Sequence, residues 1–183
     1  LFGLGNPGAR YRLTRHNLGF LLLDRLEQHW QLRPEAGPGD YVRSAGEVEG
    51  QPIVMIRPLT YMNLSGRAVR QALRSEGSEE SRILVAVDDV ALPLGRVRVR
   101  PRGSAGGHNG LRSIEECLGT EDYARLRMGC GPAPEEMDLA DYVLDEFDEG
   151  EWDAVEEMLE HAAKAAETWV LEGTETTMAR FNR

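Results

Sequence analysis

The run "RILVAVDD", Arg82 to Asp89, places five apolar residues in unbroken succession between an arginine and two aspartates. A strand with one wet face alternates apolar and polar residues, whereas a strand covered on both faces stays apolar throughout. This run therefore reads as the central strand of a sheet flanked by helices. Its neighbours agree. Upstream, "LFGLG" has the character of the end of a first strand, and Leu18, Leu21, Leu22 and Leu26 form a helical stripe within residues 17–30. "DYVRSAGEVEG" and "QPIVMIRP" read as strands joined by a turn at Gly50. Leu64, Ala68, Val69, Ala72 and Leu73 mark a second helix that Gly77 ends. Downstream come a helix at about 109–118 and the strand "YARLRMGCG". Trp152, Val155, Leu159, Ala162, Ala166 and Trp169 then space at three and four residues along a long C-terminal helix. Such alternation predicts an α/β sheet with helices on both faces.

At 183 residues the chain is expected to form one domain, residues 1–183, ending in an acidic helical part at about 135–183. No internal repeat is visible, and only "GPAPEE" resembles a linker. No apolar run approaches the roughly 20 residues a membrane span needs. The chain opens on Leu1, so residues ahead of it are expected. Cys117 and Cys130 fit no disulfide framework or zinc spacing, which suits thiols in a reducing cytoplasm.

The net charge of −10 conceals an asymmetry. Residues 1–130 carry 18 Arg against 15 Asp and Glu, whereas residues 131–183 carry 3 Lys and Arg against 16 Asp and Glu. Basic residues are densest in "GRVRVRPRG". Read as a strand, this stretch puts Arg96, Arg98, Arg100 and Arg102 on one face. Four like charges in a row repel one another unless a polyanion sits across them, so phosphate binding is expected here. The acidic tail reads as a solvated helix face.

The stretch "GSAGGHNG", Gly103 to Gly110, holds four glycines, a combination that lets a backbone bend sharply or approach a ligand closely. It lacks the Gly-Lys-Ser/Thr ending of a phosphate-binding P-loop. In open α/β sheets ligands gather at the loops beyond the strand ends. The polar candidates stand in those loops: Asn6 in "GLGNPG", His16 in "TRHN", Asn63 in "TYMNLSG", Asp88 in "VAVDDV", and His108 with Asn109 closing the glycine loop. Singly, each reads as a cap or a turn former. Together they offer a carboxylate to orient an imidazole, an imidazole to take a proton from water, and amides to bind a polar substrate or an oxyanion. Ser65 and Ser104 lie in no Gly-x-Ser-x-Gly elbow.

Five stretches, "GLGNPG…Y…TRHNLGF", "RPLTYMNLSG", "VDDVALPLGRVRVR", "GSAGGHNGLRSI" and "LGT…YARLRMG", resemble the bacterial peptidyl-tRNA hydrolase family in sequence and in order. The likeness runs to about Gly131, and "ARFNR" is similar to the family's C-terminus. The resemblance implies a three-layer α/β/α globule around a mixed, mostly parallel twisted sheet. It implies cleavage of the ester between a peptide and the 3′-terminal ribose of tRNA, without metal or organic cofactor, by a cytoplasmic monomer that engages the 3′ CCA end and acceptor stem and no membrane. His16 then matches the general base, Asp88 the carboxylate that keeps it basic and oriented, and Asn6 the asparagine that separates blocked from unblocked aminoacyl-tRNA. Tyr11, Tyr61, Asn63 and Asn109 match positions touching the tRNA 3′ end or the peptide main chain. Arg100 and Arg127 match a basic pair on the 5′-phosphate. His108 neighbours the site without a catalytic role.

The chain departs from the family pattern at Ala91, where a second acidic residue is common, and at Val87, which replaces a frequent His. Arg57 and Arg100 replace lysines, and arginine differs from lysine in geometry. Two other classes compete with the hydrolase. A non-catalytic RNA-binding relative is expected to lack His16 or Asp88, and a metal hydrolase would use His16, His108 and Asp88 as ligands although nothing shows metal-ligand spacing.

Overall fold

The computed structural model describes residues 1–182, Ser81 by its backbone only. The elements follow in the order β1 (Phe2–Gly3), α1 (Leu18–His29), β2 (Glu35–Ala36), β3 (Tyr41–Val48), β4 (Gln51–Pro58), α2 (Ser65–Glu76), β5 (Leu84–Asp89), β6 (Val97–Arg100), α3 (Asn109–Leu118), β7 (Ala124–Gly129), α4 (Leu139–Leu144) and α5 (Trp152–Phe181). All seven strands join one sheet in the order β2-β3-β4-β1-β5-β7-β6. Its centre is parallel, through the β4–β1, β1–β5 and β5–β7 pairs. Both margins are antiparallel, through β2–β3, β3–β4 and β7–β6. The sheet is mixed as expected, but parallel pairing is confined to its centre, because a hairpin closes one side and β6 returns beside β7 on the other.

The unbroken apolar run forms β5, and its side chains divide by the strand period of two. Leu84 and Ala86 enter the core packed by α1 and α5, and Val85 and Val87 enter the core packed by α2 and α3. Three layers result, with one helix pair on each face. Close approach demands glycine at several points, and two of them set how the helices pack. A Cβ on Gly19 would stand 2.4 Å from the Leu4 backbone, so α1 lies hard against the end of β1. A Cβ on Gly66 would stand 2.0 Å from the Ser113 carbonyl, so α2 and α3 pack equally tightly.

The arginine run departs from expectation. Strand β6 covers only Val97–Arg100, so Arg98 and Arg100 share its face while Arg96 and Arg102 fall outside it. Val97 and Val99 enter the α5 side of the core, which turns Arg98 and Arg100 toward the α2/α3 side. Asn182 closes the outer edge of this strand. Its Oδ1 accepts from the Val99 N–H at 2.7 Å and its Nδ2 donates to the Val99 carbonyl at 2.9 Å. The acidic part is helical in pieces: α4, a 3₁₀ turn at Glu149–Glu151, and α5, which kinks at Gly173.

Candidate active site

Strands β1, β4, β5 and β7 run in one direction, so the loops that follow them converge at one end of the sheet. The 3₁₀ turn Arg15–Asn17 brings His16 to the tip of β5 from the α1 side. His16 Nδ1 lies 2.9 and 3.0 Å from the two oxygens of Asp88. From the other layer, His108 caps α3, its Nδ1 accepting from the N–H groups of Gly110 and Leu111 at 3.1 and 3.3 Å. A ring nitrogen that accepts cannot carry the proton, so His108 is protonated on Nε2 and donates to Asp88 Oδ1 at 3.0 Å. One buried carboxylate thus sits between two imidazoles, one with its tautomer locked and one with Nε2 unpartnered among the described residues.

The electrostatics follow from burial. Burial alone would raise the Asp88 pKa, but His16 and His108 outweigh it and hold the carboxyl well below the usual carboxylate range. Burial alone would lower the His16 pKa, but the charge of Asp88 and its hydrogen bond carry the imidazole above its ordinary value. Asp88 is therefore a fixed anion, and His16 is the group that titrates.

The remaining candidates spread around this pair. Asn6 is buried, and its Oδ1 accepts from the Met62 N–H at 2.8 Å, which leaves its Nδ2 as a donor. The Asn6 backbone is gripped by Asn17, whose Oδ1 accepts from Asn6 N–H at 2.8 Å and whose Nδ2 donates to Asn6 C=O at 3.0 Å. Beside Met62, Asn63 is exposed, and Tyr61 meets Tyr11 edge-on at 6.5 Å between ring centroids. A cavity of about 750 Å³ opens at His16 and Asp88 and extends over the β6–β7 face, with Asn109, Arg100 and Arg127 in its wall. Asn6, Asn63, Tyr11 and Tyr61 lie outside that wall. Arg127 pairs through Nε with Asp89. Gly106 and Gly107, in the loop above the cavity, take φ of 57° and 87°, a backbone region that favours glycine.

One cavity wall comes from the acidic part, whose residues Asp138 to Ala140 and Val143 line it. What seats this wall is Arg15, only 5% exposed. Its guanidinium lies 4.4 Å from the Tyr142 ring and 5.0 Å from the Phe147 ring. It donates to the Glu146 carbonyl at 2.6 Å and to Glu151 at 2.7 Å, and the Arg15 N–H donates to the Asp145 carbonyl at 3.1 Å. The acidic part is thus a wall of the site as well as a solvated face.

The family description "Peptidyl-tRNA hydrolase" matches residues 1–183. The chain belongs to the peptidyl-tRNA hydrolase family. It is 44% identical over 181 residues to the peptidyl-tRNA hydrolase of Thermotoga petrophila, covering 98% of this chain and 95% of that one. With the peptidyl-tRNA hydrolase of Elusimicrobium minutum the identity is 43% over 185 residues, covering 100% and 98%. The crystal structure of peptidyl-tRNA hydrolase from Acinetobacter baumannii superposes with a TM-score of 0.93 at 30% identity, covering 99% of this chain and 92% of that one.

Within this family frame, the metal alternative can be weighed on donor chemistry. His16, Asp88 and His108 offer ligand atoms within 4.8 Å of one another. Yet His108 would have to ligate through Nε2 while its Nδ1 still accepts two N–H groups, which a neutral imidazole cannot do. The three groups fit a hydrogen-bonded cluster, one carboxylate between two imidazoles, better than an ion. Two residues that hold the site together carry no signal of their own in the sequence. Asn17 stands in the quoted "TRHN", where an asparagine beside a histidine reads only as a helix cap. Arg15 stands there too, and only the fold shows what lies around it.

Proposed function

We propose that this chain hydrolyses the ester joining a peptide, or an N-blocked amino acid, to the 3′-terminal ribose of tRNA. The observation that carries this reading is the His16–Asp88 pair, with Nδ1 of His16 bound to the carboxylate and the residue lining the cavity. Nε2 takes a proton from water as the water oxygen attacks the ester carbonyl. The resulting imidazolium is stabilised by Asp88. The tetrahedral intermediate then expels the ribose 3′-oxygen, which recovers the proton from His16.

Asn6 Nδ2, Asn63 and Asn109 serve as amide donors and acceptors for the peptide main chain and the developing oxyanion. Exposed Tyr61, with half-buried Tyr11 edge-on behind it, offers an aromatic face to the terminal base, because stacking tolerates any base. Arg100 and Arg127 hold the 5′-phosphate, Arg127 through the guanidinium nitrogens that Asp89 leaves over. His108 supports Asp88 and transfers no proton. The enzyme acts as one monomeric domain in the cytoplasm, on the 3′ CCA end and acceptor stem, and the chemistry calls on no cofactor. An RNA-binding role without catalysis is disfavoured by the intact pair.

The test is incubation with N-acetyl-aminoacyl-tRNA and a chelator, following release of the blocked amino acid. Release that persists in chelator and spares free aminoacyl-tRNA supports the proposal. Equal cleavage of free and acetylated substrates would sink the asparagine assignment, and loss of activity in chelator would sink the metal-free chemistry.

A further inference from the structure

The two faces of the sheet differ in charge. On the α1/α5 side, α5 carries Asp153, Glu156, Glu157, Glu160, Glu167, Glu172 and Glu175. On the other side, α2 presents Arg67, Arg70 and Arg74, all exposed. At 100° per residue these three share an arc of roughly 60°. Arg112 is exposed on the neighbouring α3, which also carries exposed Glu116 and a Glu115 that pairs with Arg125. Arg67 pairs with Asp40 at 2.8 Å. Arg70, Arg74 and Arg112 have no carboxylate within ion-pairing distance among the described residues.

Like charges one helical turn apart repel. The chain has sixteen acidic residues beyond position 130, yet the pairs they form lie with α1, Arg15 and α5 itself. Helices α2 and α3 both begin at the catalytic end, beside Asn63 and His108, and lead away from it. Arg67 to Arg74 therefore covers about 10 Å outward from the site, at 1.5 Å per residue. Arg98 and Arg100 continue the same side of the molecule at the sheet margin. Exposed Tyr61 and Leu64 stand at the head of α2, beside Asn63, but from Arg67 to Ser78 the exposed positions carry no apolar side chain. A membrane-lying helix needs apolar residues beside its cations, so the stripe suits a hydrated polyanion.

We propose that α2 and α3 dock the sugar-phosphate backbone of the substrate's stem through Arg70, Arg74 and Arg112, a contact separate from the 5′-phosphate grip. It rests on the reading of the chain as a peptidyl-tRNA hydrolase. The duplex lies over the arginine side, away from α5, while its single-stranded 3′ end enters the crevice.

The test compares the parent with the triple variant R70Q/R74Q/R112Q on two substrates. One is N-acetyl-aminoacyl-tRNA, and the other is the same acyl group on a short single-stranded CCA oligonucleotide. The variant is expected to raise KM for the tRNA about tenfold and to lower the slope of log affinity against log salt by about two. Cleavage of the oligonucleotide is expected to stay within about twofold of the parent, which also shows that the variant folds. An unchanged KM and salt slope on tRNA would overturn the proposal, as would an equal loss on both substrates. Tight binding of the parent to phosphatidylserine vesicles, lost in the variant, would overturn it in favour of a lipid surface. If the parent cleaves neither substrate, the hydrolase reading fails. The stem contact is then judged by the salt slope for uncharged tRNA, where equal slopes in parent and variant would overturn it.

Discussion

The crevice at the strand tips and the arginine side of the sheet treat charge in opposite ways. In the crevice, Asp88 and His16 are 4% and 7% exposed, and the carboxylate is balanced by two imidazoles held at hydrogen-bond distance. On the arginine side, Arg70, Arg74, Arg100 and Arg112 stand in or near solvent without internal partners among the described residues. A buried charge acts strongly over a short range because little water screens it. An exposed charge is screened within about 10 Å at moderate salt, and it serves to attract and orient. The crevice should therefore govern turnover, and the arginine side should govern KM and salt dependence.

The hardest blow to this division is His16→Ala. Turnover is expected to fall by roughly 10²–10⁴, the usual weight of a general base, with tRNA affinity within about twofold. Single-turnover rates and filter binding measure the two separately, and a variant that lost binding while keeping its rate would break the comparison.

Asp88→Asn should also lower turnover, by less than His16→Ala does, because the imidazole remains but its orientation and cationic form lose support. Its pH profile is sharper than its rate. If His16 is the base, activity in the parent is expected to need its neutral form and to decline as pH falls through a value raised above the ordinary one for histidine. The substitution removes the charge that raises this value and leaves the burial that lowers it, so the acid limb should move to lower pH. Stability runs the other way. The His16–Asp88 attraction contributes fully below the unfolded-state histidine pKa and fades as pH rises through the raised folded value. Thermal melts across pH 5–8 should show the parent losing that contribution and the variant lacking it.

Next come Asn63→Ala and Asn109→Ala, each expected to slow cleavage of N-acetyl-aminoacyl-tRNA roughly tenfold through an unmade polar contact. Asn6→Ala should chiefly change the ratio between acetylated and free substrates. The smallest effect belongs to Arg100→Ala and Arg127→Ala, expected to raise KM a few fold with little change in turnover. Removing the substrate's 5′-phosphate should reproduce the double variant, and additive losses would show that these arginines hold something else.

The sheet centre and the helices are legible in the sequence because burial on two faces leaves an unbroken apolar run, as in Leu84–Val87, and helical packing leaves a stripe, as in Ala68–Leu73. Strand ends leave no such mark, which is why alternation alone extends β6 over Arg96 and Arg102. The site's polar residues are visible as a set in the loops, and the family resemblance supplies the roles proposed for them. The supporting contacts are not visible. Arg15 meets residues more than 120 positions away, and no local pattern of charge or hydropathy announces such a partner. The cavity wall at Asp138–Val143 is hidden for a related reason. Its acidic composition is that of a solvated helix, and only the docking of Tyr142 and Phe147 on Arg15 turns it inward.

Asn182 sets how copies of the molecule treat one another. A strand at the margin of a sheet is an invitation to recruit a further strand from another chain, which is how ordered aggregates begin. By occupying the Val99 donor and acceptor with one side-chain amide, the chain supplies a decoy for the strand that never arrives. Arg98 and Arg100 add mutual repulsion between margins. Asn182→Leu would withdraw the decoy and leave the repulsion, so clouding of concentrated samples should appear first in high salt, where the arginines fall silent. Light scattering during storage would follow it, and colloidal lifetime, more than catalytic rate, is the property this one amide governs.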